Sequence, residues 1–153
     1  MDPRALNRGE LLAIVGGILL GISLFLAWYS LGNKFAQLNS CHGPNSSCTG
    51  WQSLTVMRYV LLAGAVAPLI LAWVILRGHA LAWPRGELTA VVGVVTFVLT
   101  IFRGVIDKPG SPPGEITINY GWFVALAGGL LILAGSIWRS RESAARRKPP
   151  GVL

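Results

Sequence analysis

Charge is what this chain has least of. Only 12% of its 153 residues are Asp, Glu, Lys or Arg, about half the ~25% of an ordinary soluble domain. Acid is scarcer than base, with six Asp and Glu against thirteen Lys and Arg. There are two histidines, two cysteines and no Cys-x-x-Cys. From these positions no Ser-His-Asp set and no carboxylate pair converges. Neither enzyme activity nor a cofactor is therefore expected. A metal is not expected either, because Cys41-His42 with a distant Cys48 is not a standard zinc spacing. Nucleic acid is excluded as a partner. The net charge of +7 sits between and beside apolar runs, not in a basic patch interleaved with aromatics.

Apolar residues fill the space that charge leaves, at 53% of the chain. They gather into four runs, residues 11–31, 56–76, 88–106 and 121–138. Each is about as long as a helix must be to cross ~30 Å of hydrocarbon at ~1.5 Å per residue. The expected fold is an all-α integral membrane protein, a four-transmembrane-helix antiparallel bundle forming one domain over residues 1–138. A basic tail, 139–153, follows. The first run exceeds the ~7–15 residues of a signal peptide core, which argues for an uncleaved first helix.

Basic residues orient the bundle. Arg4, Arg8, Arg77, Arg85, Arg139, Arg141, Arg146, Arg147 and Lys148 fall on one side of a four-span topology. Lys34, Arg58, Arg103 and Lys108 fall on the other. The positive-inside bias then puts both termini in the cytoplasm of a plasma-membrane protein. The long loop 32–55 and the proline-rich loop 107–120 lie outside.

Cys41 and Cys48 both fall in the first outer loop, on the oxidising side. Gly43 and Pro44 between them can turn the chain, so a local disulfide is expected, with a free or redox-active pair as the alternative. Asn45-Ser46-Ser47 matches a glycosylation sequon. Trp28, Tyr29, Trp51, Tyr59, Tyr120 and Trp122 share one predicted depth and suit an outer aromatic belt. Trp73, Trp83 and Trp138 mark the inner one. Gly17 and Gly21 in the first helix, and Gly121, Ala125 and Gly129 in the fourth, are small residues at four-residue spacing. They predict close helix contacts, within the chain or across a homo-oligomer.

Ionisable groups are absent from mid-membrane positions, where proton-coupled transporters place them. Arg103 and Asp107 are one turn apart near the outer end of the third helix and are expected to pair. Glu10 and Glu87 complement positive helix starts. The run Arg139, Arg141, Arg146, Arg147 and Lys148 is expected to lie on anionic lipid at the cytoplasmic face, at ~1 kcal/mol per basic residue.

Three short motifs carry a resemblance: Leu24-Phe25-Leu26-Ala27-Trp28-Tyr29-Ser30, Gly50-Trp51-Gln52-Ser53-Leu54 and Tyr120-Gly121-Trp122. Together they resemble a pattern in small, uncharacterised four-span membrane proteins of actinobacteria and related bacteria. Ala27 stands where that pattern often has proline. The resemblance implies a bacterial plasma membrane and no activity. The expected role is a structural or accessory subunit of a membrane assembly, with a membrane-protein partner or a second copy of the chain. The alternatives are a small transporter or oligomeric channel subunit and a thiol-disulfide redox protein.

Overall fold

The computed structural model describes residues 7–43, 46–77 and 85–146. Pro44, Asn45, His79, Trp83, Arg147 and Lys148 lie outside the described residues, as does the side chain of Arg146. Among the described residues three helices are long and apolar enough to cross a membrane, within Met57–Leu76, Glu87–Ile106 and Tyr120–Glu142. Their outward faces are apolar. Ile70, Val91, Val98, Val105 and Phe123 are all more than half exposed. A water-facing helix would place polar side chains there, so this surface suits lipid.

Helix α1, Arg8–Ser23, opens on a capping box. The Glu10 carboxylate accepts the Asn7 amide, satisfying a donor that the helix start leaves orphaned. Helix α1 ends eight residues short of the predicted boundary. Strand β1, Ala27–Leu31, takes over. The reason is local hydrogen bonding. Phe25 and Leu26 amides turn back to Ile22 and Ser23 carbonyls. The Trp28 indole donates to the Ser23 carbonyl at 2.7 Å. Amides of Gly50 and Trp51 reach the Leu26 and Leu24 carbonyls. Carbonyls at the helix end are thus satisfied from outside the helix.

Beyond β1 come β2, Gln37–Leu38, β3, Cys41–His42, and β4, Ser47–Thr49. The one-turn helix α2, Gly50–Ser53, leads into α3, Met57–Leu76. Helix α4, Arg85–Ile101, widens into a π-helical turn over Phe102–Ile106. Strand β5, Ile116–Ile118, precedes α5, Tyr120–Arg146. Strands β4, β1 and β5 form an antiparallel sheet in that order, and β2 pairs with β3. The fold is mostly helical but not all-α, because a small sheet caps one end of the bundle. Helix α5 also runs through 139–146, which the sequence reading gave to the tail.

Helix α1 packs against α3 and α5, and α4 packs against α5. The α1–α5 contact is antiparallel, with Gly9 facing Gly135 and Gly16 facing Gly128. A Cβ added at Gly16 would lie 2.6 Å from the Gly128 carbonyl oxygen, and one at Gly128 would lie 2.8 Å from that of Gly16. Glycines seven residues apart on each helix let the two backbones touch. Helix α3 meets α4 where Thr96 fills the notch at Gly64.

Candidate functional site

Polar chemistry collects at the two ends of the bundle. At the capped end, Trp28 is fully buried. Its ring lies against Gly50 and Gly121, where an added Cβ would approach ring atoms to 2.8 Å in each case. The three sequence motifs therefore converge on one side chain. Tyr29, also fully buried, donates its hydroxyl to the Arg103 carbonyl at 2.9 Å. Burial pushes the Tyr29 hydroxyl well above its ordinary pKa, with Asp107 acting in the same direction and Arg103 against it. The Trp122 indole donates to the Thr100 carbonyl at 2.7 Å. Both acceptors lie where α4 passes into its π-helical turn, so the cap holds the end of α4 in place. Trp28, Tyr29 and Trp122 are thus core residues. The belt expectation is corrected for these three. Buried indole and phenol groups need a hydrogen-bond partner, and backbone carbonyls supply it.

Trp51, Tyr59 and Tyr120 reach the molecular surface, with the two tyrosines about half exposed. Trp51 stacks on Phe25 at 5.8 Å and meets Tyr59 edge-on at 5.9 Å. The Arg58 guanidinium lies over both rings, 5.0 and 4.8 Å from their centres. It also donates to the Trp51 carbonyl and the Tyr59 hydroxyl. Cation–π contact and hydrogen bonds fix this patch.

Cys41 and Cys48 form a disulfide with Cα atoms 5.8 Å apart. It joins β3 of the hairpin to β4 of the sheet. Both residues are buried. Arg103 and Asp107 pair at 2.7 Å on the exposed surface.

The opposite end of the bundle holds a feature not foreseen from the sequence. Arg139 pairs with Glu10 at 2.7 Å, and both side chains are largely buried. Arg139 is thus held in the α1–α5 seam, and Glu10 does more than complement its own helix start. The space beside the pair is about 10 Å³, one water at most.

The small residues divide. Gly17 is required, since an added Cβ would lie 2.6 Å from the Ala65 carbonyl oxygen and 2.7 Å from Pro68 Cγ. Gly121 is required for the same kind of reason, facing the Ala27 carbonyl at 2.6 Å. Ala125 is fully buried. Gly21 and Gly129 would accept a methyl group, with nearest atoms 3.6 and 3.4 Å away. Gly128 and Gly135 of the fourth helix meet Gly16 and Gly9 of the first at seven-residue spacing, a period that a four-residue small-residue motif does not report.

Comparison with protein families, curated proteins and solved structures finds no match to this chain. Function is therefore argued from geometry alone. Among the described residues no group of three or more His, Cys, Asp or Glu could hold a metal. Thr96 and Thr100 face inward, but their hydroxyls donate to the carbonyls of Val92 and Thr96 in the same helix.

Proposed function

We propose that this chain is a four-span plasma-membrane protein with both termini in the cytoplasm, acting as a structural or accessory subunit of a membrane assembly. Helix α1 has 16 residues, about 24 Å of α-helix. The turn at 24–26 adds about 6 Å at the tighter rise of i→i+3 bonding. Together they approach the ~30 Å of the hydrocarbon core. The sheet then sits at the outer surface, where its edges meet water rather than lipid. The basic residues on the other side keep the termini inside.

The observation that carries the accessory role is that, among the described residues, buried side-chain polar atoms other than Arg58 Nε and Glu142 Oε2 are taken up by bonds within the chain. The indoles of Trp28 and Trp122, the Tyr29 hydroxyl, the hydroxyls of Thr96 and Thr100 and the Glu10–Arg139 pair all have partners. A permeation path needs polar groups that face water. A redox relay needs a disulfide that a thiolate can reach, and burial of Cys41 and Cys48 argues against it. At the capped end the Phe25–Trp51–Tyr59 patch around Arg58 faces outward. Aromatics and Arg are the residue types that anchor partners.

Purification in mild detergent with identification of co-eluting proteins tests the role. A stoichiometric membrane-protein partner, lost on Trp51→Ala, is the expected result. Elution as a lone monomer, with no partner recovered by crosslinking in the membrane, would overturn it.

A further inference from the structure

Two apolar grooves flank Trp138 at the inner end of the bundle. One, an open hollow of about 550 Å³ against a single face of α5, is lined by Ala134, Ile137, Trp138, Arg141 and Glu142. The other, about 340 Å³, is lined by Arg8, Leu11, Leu12, Val15 and Trp138. Trp138 is the wall they share. Its indole donates to Glu142 Oε1 at 3.1 Å, which holds the ring between the grooves. Ala134, Ile137, Trp138 and Arg141 follow the i, i+3, i+4, i+7 spacing of one outward helix face, and all four are exposed. Leu11 and Val15 are exposed on α1 in the same way.

The charge at the rim is selective. Arg139 is neutralised by Glu10, while Glu142 accepts the indole through Oε1 and keeps its charge. Arg8 and Arg141 are exposed, and among the described residues neither pairs with a carboxylate. Two guanidinium groups against the one Glu142 carboxylate thus border the two apolar hollows, Arg8 on one side of Trp138 and Arg141 on the other. Guanidinium donors match phosphate oxygens in number and geometry. A ligand with one anionic head and two hydrocarbon tails has the complementary shape and charge.

We propose that this end of the α1–α5 seam binds one acidic diacyl phospholipid, its tails in the grooves on either side of Trp138 and its phosphate between Arg8 and Arg141. The site is distinct from the basic tail, whose attraction to acidic lipid is diffuse and screened by salt. The inference rests on the membrane-spanning reading above but not on which side the termini face, nor on a protein partner.

Chain-brominated lipids test it, because bromine quenches a tryptophan it touches. The protein is reconstituted in phosphatidylcholine vesicles holding a minor fraction of either brominated phosphatidylglycerol or brominated phosphatidylcholine. The Trp138 signal is the difference between wild type and Trp138→Phe. Phosphatidylglycerol at the same mole fraction should quench that signal as though enriched roughly five-fold or more at the site. The preference should disappear in Arg8→Gln/Arg141→Gln and persist in Arg147→Gln/Lys148→Gln. Equal quenching of the wild-type signal by the two lipids overturns the proposal, whatever the variants do. So does a preference that survives the Arg8 and Arg141 changes and is lost with the tail charges. A protein that shows no lipid preference yet co-elutes with a partner overturns this proposal and leaves the accessory role standing.

Discussion

Gly16 and Gly128 meet backbone to backbone, each with its carbonyl oxygen less than 3 Å from where the other's Cβ would be. That contact sets the spacing of α1 and α5, and Gly9 with Gly135 repeats it seven residues away. Seven residues are close to two helical turns, so the glycines stay on one stripe. Gly128→Val should lower stability by about 1–3 kcal/mol through overpacking. Gly21→Ala faces only Ala65 Cβ at 3.6 Å and should be neutral or stabilising by up to ~1 kcal/mol from helix propensity. Thermal melts in one detergent compare the two. Equal losses would mean that the seam is not set by glycine.

Trp28 acts as a hydrogen-bonding core residue. Trp28→Phe keeps most of the ring but leaves the Ser23 carbonyl with the Leu26 amide as its one donor, which should cost about 0.5–1.5 kcal/mol. Trp122→Phe should cost about as much through Thr100. Trp51→Phe, whose ring stacks at the surface, should move the melting temperature little. If all three behave alike, the distinction between core and surface tryptophans fails.

The Glu10–Arg139 pair predicts a coupled pattern. Arg139→Gln alone leaves a carboxylate in a largely buried place, and Glu10→Gln alone strands the arginine. Breaking such a pair from one side costs about 3–5 kcal/mol, less here to the extent that the pair is partly solvated. The double change should recover much of the loss. A double-mutant cycle with additive losses would show the two groups acting independently.

Alkaline pH should weaken the cap. Tyr29 is held protonated by burial, with its pKa above the ordinary 10.0. Unfolding frees the hydroxyl to ionise at its ordinary pKa. The stability this group contributes is therefore complete below pH 10 and declines as pH rises above it. Tyr29→Phe should be less stable than wild type near neutrality, having lost the bond to Arg103, and flatter in its melting temperature above pH 10. Parallel profiles for the two proteins would contradict the buried phenol.

Reduction tests the disulfide. The closed loop is short, since the cysteines are seven positions apart, and opening it should cost at most ~3 kcal/mol. Buried Cys41 and Cys48 should resist mild reductant until the cap loosens, so labelling of freed thiols should track heat or denaturant. Rapid reduction of the native protein would revive the redox reading.

Hydropathy alone made three of the apolar segments legible, because lipid demands long runs whatever their packing. Arg103 with Asp107, and Cys41 with Cys48, were legible because each pair is close along the chain. Residues 27–31 were misread as helix, since an apolar run reports burial and not conformation. The strand forms because β4 and β5, from distant parts of the chain, pair with it on both sides.

The sequence by itself determined where the chain prefers hydrocarbon to water and where its basic residues stop, since both follow from composition over short windows. Only the tertiary structure decided which tryptophans are core, which glycines touch and which arginine is buried. Those outcomes depend on residues far apart in the chain, more than a hundred positions for Gly9 with Gly135 and Glu10 with Arg139. No local pattern encodes them, because each becomes favourable only once the partner helix has already been brought alongside.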